Sequence, residues 1–302
     1  MKRAAYTATY LLWGSTFLGI AIAVKEHDPL FIAASRFLLA GGIILVFAQR
    51  AQNDLPWPRA FVTGGFYLLG THGIMSSLAT SVPSGLLAVA MATAPMWIAV
   101  LEGNRKQIPT LLLGLAGVAV LAWPGGSVSI AQLAWLVGAA VSWAIGSVLT
   151  KRWGSGLPAA SMAGRQMVAG GALLLAASGL AGETWAVPTG TSLAAVLYLA
   201  VFGSILTYFA YLYLIRTTTM ARASSYTFVN PIVAVALGAW LASEPVTWRL
   251  FVALPLVLLT LGLLLRPARA SPAAVAPVPL EASRDVHACR CPPPSIGPSR
   301  PL

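Results

Sequence analysis

Acidic side chains are scarce in this chain: there are eight in 302 residues, at Glu26, Asp28, Asp54, Glu102, Glu183, Glu244, Glu281 and Asp285. Charged residues of both signs make up only 9% of the sequence, against about 25% in an average soluble domain. So little charge cannot coat a globule in water, which excludes a soluble protein. Cysteine is limited to Cys289 and Cys291, a lone C-x-C that supplies neither a disulfide framework nor a second pair for a metal. The three histidines, His27, His72 and His287, are too scattered to form a ligand cluster or an acid–base pair. No metal, no cofactor and no enzymatic activity are expected. Two rival classes stay in view. An intramembrane enzyme would have to rely on a serine with His72 as base, and a non-transporting membrane scaffold would carry no polar stripes in mid-span.

Apolar sequence is what the chain has in plenty, at 58% hydrophobic residues and a mean hydropathy of +0.79. Ten apolar runs stand out, at 4–24, 30–48, 60–80, 85–101, 108–123, 131–150, 159–179, 191–215, 223–242 and 250–265. Most reach the ~20 residues that cross a ~30 Å hydrocarbon layer. The expected fold class is therefore an all-α integral membrane protein with ten transmembrane helices and brief connections. The opening MKRAAYTATYLLWGSTFLGIAIA could pass for a signal peptide, but its polar residues sit mid-span and nine further runs follow, so an uncleaved first span is expected. Beyond Leu265 the composition turns to Pro, Ala and Ser without periodicity, and 267–302 is expected to be a disordered cytoplasmic tail.

Basic residues set the orientation. Alternating loops place Lys2, Arg3, Arg50, Arg59, Arg105, Lys106, Lys151, Arg152, Arg216, Arg222 and the five arginines from Arg266 onward on one side, with only Lys25 and Arg249 on the other. Fifteen against two puts both termini in the cytoplasm. The net charge of +11 is thereby explained as a membrane address, and no nucleic-acid partner is needed.

The two remaining basic residues, Arg36 and Arg165, fall inside spans two and seven. Pro29 precedes the first by seven residues, Pro158 precedes the second by seven, and Ala-Gly-Gly follows each, at 40–42 and 169–171. Trp13 with Gly14-Ser15 recurs loosely as Trp143 with Gly146-Ser147, and Pro95 in span four is echoed by Pro231 in span nine. Two five-span halves, 1–126 and 127–266, are implied. Because five is odd, the second enters the membrane from the opposite side, which makes an inverted repeat of the kind used by alternating-access carriers. Each arginine has three readings open: a structural or gating contact that both halves make, a substrate carboxylate contact, or snorkelling to water. Pro95 and Pro231 are candidates for kinks or gates.

The stretches LLWGSTFLGIAIAV, DPLFIAASRFLLAGGIIL, SVPSGLLAVAMATAPMWIAVLEG, LLLGLAGVAVLAWPGG and ASSYTFVNPIVAVALGAWLASEPVTW together resemble the drug/metabolite transporter superfamily, in its EamA-type branch of paired five-helix repeats. Glu244 fits that pattern after span nine, whereas Glu102 fits the first-half equivalent poorly. The resemblance implies a carrier in the bacterial inner membrane, often an exporter of amino acids, drugs or related small molecules, with a central cavity lined by spans 1, 3, 4, 6, 8 and 9. Its partners would be a small-molecule substrate and the lipid bilayer; the oligomeric state is left open. Polar and aromatic residues at helical spacing on those spans are the cavity candidates: Trp13 and Thr16, His72 and Ser76, Thr93 and Trp97, Trp143, then Ser204, Thr207, Tyr208 and Tyr211, and finally Tyr226 and Asn230. Hydroxyls bonded to their own helix and aromatic rings in an interfacial belt would give the same pattern without a cavity.

Overall fold

The computed structural model describes residues 1–48, 54–103, 108–120, 128–218, 223 and 226–264. Met1–Arg266 form one compact unit, and the expected disordered tail, 267–302, with its two cysteines lies outside the described residues.

Among the described residues there is no strand, and the helices join into ten runs. They are α1 (2–23), α2 (Pro29–Phe47), α3 (57–78), α4 (Ser84–Leu101), α5 (Ile108–Ala119), α6 (Ile130–Trp153), α7 (Ala159–Leu180), α8 (Gly190–Thr217), α9 (Tyr226–Leu241) and α10 (Trp248–Leu264). By length and composition α2, α4, α6 and α8 can each cross a membrane. Large apolar side chains such as Val46, Phe47, Leu180, Trp240 and Phe251 point outward, as lipid-facing residues would.

Local sequence sets where the helices begin. Pro29 occupies the first turn of α2, where its missing N–H costs nothing. Ser129 and Gln132 exchange hydrogen bonds in a capping box at the start of α6. The Glu183 carboxylate accepts from the Leu30 and Phe31 N–H groups at 3.1 and 2.9 Å, covering the positive end of α2 from the far half of the chain. Beside it, Asp28 accepts from the Thr184 hydroxyl and N–H at 2.6 and 2.7 Å, and that hydroxyl contributes most to holding its carboxyl below the usual range.

Three helices are not regular throughout. Ala8–Leu12 in α1, Gly65–Gly73 in α3 and Leu199–Leu206 in α8 are π-helical. The wider turn leaves carbonyls poorly satisfied along the helix, and side chains from neighbours bond them. Ser142 donates to Phe66 O at 2.8 Å, and the Trp13 indole donates to Gly203 O at 3.1 Å. The Asn230 amide, oriented by its surroundings, donates to Thr9 O and Tyr10 O at 3.1 and 3.0 Å. A fourth irregularity is a break in α4 at Ala92 and Thr93, directly before Pro95.

The helices pair in a pattern that exchanges the two halves. α2 packs on α7, α5 on α10 and α4 on α9, while α3 on α6 is matched by α8 on α1, and α4 on α6 by α9 on α1. Small residues permit the closest approaches: a Cβ on Gly170 of α7 would stand 2.6 Å from Gly64 O of α3, and one on Gly41 of α2 would stand 2.9 Å from Val168 N.

Candidate functional site

Two cavities lie at the centre of the bundle. The larger, about 70 Å³, opens between α1, α3, α4, α6 and α9, where Trp13, Thr16, His72, Met75, Met91, Trp143, Tyr226, Asn230 and Pro231 line it. The smaller, about 20 Å³, lies towards α2, α7 and α8 and is lined by Arg36, Phe37, Tyr67, Gln166, Ser204 and Tyr208. Trp13, His72 and Trp143 border both, so their rings stand between them.

Backbone irregularity makes this room. The break in α4 places Met91, Ala92 and Ala94 on the larger cavity, and Pro231 sits on it from within α9. Around these the rings interlock edge to face, which suits their quadrupoles. Trp13 and Trp143, which recur loosely in the sequence, meet with centroids 5.6 Å apart at 82°. Trp13 also meets Tyr226, and Trp143 meets Tyr67, each at 4.7 Å. His72 packs on Phe37 at 4.9 Å, and its Nδ1 is buried without a hydrogen-bond partner.

Of the expected cavity residues, Trp13, Thr16, His72, Trp143, Tyr226 and Asn230 line the larger cavity, and Ser204 and Tyr208 the smaller. Ser76, Thr93, Trp97, Thr207 and Tyr211 border neither of these two. Thr93 donates to Ala90 O at 2.8 Å and Thr207 to Phe202 O at 2.5 Å, turning both hydroxyls onto their own helices. Trp97 packs among buried apolar side chains, with its Nε1 unpartnered. Tyr211 is 1% exposed and enclosed by the rings of Trp13, Trp143, Tyr208 and Tyr226.

Gln166 is a residue that the helical-spacing argument passed over. Its amide nitrogen donates to the hydroxyls of Thr63 and Thr150 at 2.9 and 2.8 Å, and its oxygen accepts from the Tyr208 hydroxyl at 2.6 Å. One buried amide thereby ties α3, α6, α7 and α8 together. The available signal was an amide beside Arg165 in an otherwise apolar run.

The matched arginines have different surroundings. Arg165 donates to Asp54 Oδ2 at 2.6 Å and to Leu55 O at 2.8 Å, holding the connection ahead of α3. Arg36 is 2% exposed, and no described carboxylate pairs with it. Pro95 lies in the first turn after the α4 break, outside both cavities. Glu244 accepts from Ser84 Oγ at 2.9 Å, linking the start of α4 to the segment after α9, and Glu102 makes an exposed ion pair with Lys151.

Arg165→Leu is expected to lower stability by about 2 kcal/mol, between the values for exposed and buried pairs, because Asp54 and Arg165 keep 15% and 22% side-chain exposure. Thermal unfolding in detergent reads it, and Arg165→Lys should recover part of the loss.

The EamA-like transporter family matches the chain over residues 5–123 and again over 131–266. The chain is 38% identical to the uncharacterized inner membrane transporter YedA of Escherichia coli strain K12, a match that covers 93% of this chain and 96% of that protein. It is 28% identical to the uncharacterized transporter YvbV of Bacillus subtilis strain 168, across 91% of this chain and 97% of that one. A solved crystal structure with 19% identity covers 86% of this chain and 95% of its own at a TM-score of 0.63, a likeness of fold. An all-helical chain with membrane-length apolar helices, matched by the family over most of its length, belongs to the EamA-like transporter family and is a membrane transporter.

Proposed function

We propose that the chain is a ten-span carrier that moves a small amphipathic solute out of the cell by alternating access. Its two inverted repeats would be residues 1–126 and 127–266. The observation that carries this reading is the central cavity, whose aromatic rings and hydroxyls come from both halves of the chain. Trp13 and Trp143 meet there, and each lies beside a bond to a π-segment of the opposite half: the Trp13 indole to Gly203 O and the Ser142 hydroxyl to Phe66 O. Helix pairings that survive exchange of the halves support an inverted repeat, as do the two family matches. In such a fold, interchanging the conformations of the halves carries the site from one side of the membrane to the other.

Apolar walls with a few hydroxyls, one histidine and one amide suit a solute with an apolar body and a polar end. Amino acids, drugs and related compounds are the classes implied by resemblance, which is also the basis for the outward direction. Every described carboxylate lies outside the helices, at Glu26, Asp28, Asp54, Glu102, Glu183 and Glu244. With no acid in mid-span to shuttle a proton, facilitated export or exchange is the simplest mechanism.

The fifteen-to-two split of basic residues supports cytoplasmic termini, and the name of the Escherichia coli relative supports the inner membrane. A cysteine at Thr218 should be shielded from an impermeant thiol reagent in intact cells and one at Gly182 labelled; the opposite pattern would reverse the orientation. Efflux from preloaded proteoliposomes, measured across a panel of ring-bearing solutes, tests the function. Selective efflux that saturates with concentration is expected. Release no faster than from protein-free vesicles for every solute would refute it.

A further inference from the structure

Arg36 is a buried cation for which the described residues provide almost no partner. A guanidinium carries five N–H donors, and a charged side chain deep in a membrane protein costs several kcal/mol unless those donors are occupied. Here Nε reaches Ser204 Oγ at 3.3 Å and the charge sits over the Phe37 ring at 4.2 Å, and no carboxylate among the described residues joins them. Its position-mate Arg165 has both an acid and a carbonyl. Snorkelling does not explain Arg36 either, since only 2% of it is exposed. The guanidinium instead lines the smaller cavity, which at about 20 Å³ exceeds the room of about 10–15 Å³ that one water needs. His72, with its unpartnered Nδ1, borders the same space.

We propose that Arg36 is the anion anchor of the substrate site, binding the carboxylate of a small monocarboxylate whose apolar or aromatic body occupies the larger cavity. The inference deepens the carrier reading and rests on it. A planar guanidinium fork and a carboxylate match in two parallel hydrogen bonds. The body of such a molecule would lie against Trp13, Trp143, Tyr226, Met75 and Met91. Rotation of the Trp13, His72 or Trp143 ring joins the two spaces and lets the carboxylate through to Arg36. The burial of an uncompensated charge then acquires a reason: the missing partner arrives with the substrate.

The test uses acid–amide pairs as probes: phenylacetate with phenylacetamide, and indole-3-acetate with indole-3-acetamide. Two readouts are taken on the purified full chain. One is the dissociation constant of each probe. The other is the rate at which phenylglyoxal modifies Arg36, followed by peptide mass spectrometry with Arg165 and Arg59 as internal controls. At least one acid should bind about tenfold or more tightly than its amide and slow modification of Arg36 to a similar degree. Arg36→Gln should erase that preference. If Arg36→Gln fails to fold, Arg36→Lys and the protection measurement on the unaltered protein carry the test. Equal binding of acids and amides, a preference that survives Arg36→Gln, or protection by sodium acetate as strong as by the aryl acids would each overturn the proposal. Acid-selective protection without transport of any solute would sink the carrier reading alone. Transport indifferent to acid versus amide would sink this one alone.

Discussion

Gln166→Leu is expected to lower the unfolding free energy by about 2 kcal/mol, from three buried hydrogen bonds at the ~0.6 kcal/mol average measured for membrane helices. The amide joins Tyr208, Thr63 and Thr150, so its removal takes a hydrogen-bond partner from three hydroxyls on three other helices. Leucine fills much the same volume, which separates the loss of bonds from the opening of a cavity. Tyr208→Phe removes only one of the three bonds and should cost about 0.6 kcal/mol. The ordering is more diagnostic than either value. Thermal unfolding followed by size-exclusion chromatography in detergent measures both. Equal losses would mean that Gln166 is not the node where α3, α6, α7 and α8 are tied.

The second large effect separates packing from binding within one ring cluster. Tyr211 borders neither central cavity and is enclosed by four aromatic rings, so Tyr211→Ala empties a fully packed site. Truncating a buried aromatic typically costs ~3–5 kcal/mol, so the variant should appear first as lost folded protein. Tyr226 touches Tyr211 at 5.9 Å but lines the larger cavity. Tyr226→Ala should keep most of its yield and lose transport about tenfold per folded molecule, because one side of that ring faces the cavity. Folded yield and transport per folded molecule are therefore measured together. Tyr211→Ala with normal yield, or Tyr226→Ala with normal transport, would contradict the division between core and cavity.

Much of this architecture could be read from the chain. The apolar runs coincide with the helices to within a few residues, because hydrophobic length and punctuation by Pro, Gly and capping residues act locally. Pro29 and Pro158 mark their helix starts from sequence alone. What could not be read depends on neighbours distant in sequence. Regular spacing grouped Ser204 and Tyr208 with Thr207 and Tyr211, although only the first two reach a cavity: Thr207 turns its hydroxyl onto Phe202 O, and Tyr211 is enclosed by four rings. Hydroxyl bonds to the preceding turn, as at Thr93 and Thr207, leave no trace in periodicity. The repeat made Arg36 and Arg165 look alike. They differ because Asp54 stands in a non-helical connection beside one of them and, among the described residues, no acid stands beside the other.

Alternating access is the central claim, and accessibility of the cavity from each side in turn tests it most directly. Met91 lines the larger cavity beside the break in α4. With Cys289 and Cys291 replaced by serine, a single cysteine at Met91 would be challenged with an impermeant thiol reagent on one face of oriented vesicles, then on the other. Labelling from both faces, slowed in each case by a transported solute, is the predicted result. Labelling from one face only, unchanged by any solute, would mean that the cavity never changes sides and that this protein is not an alternating-access carrier.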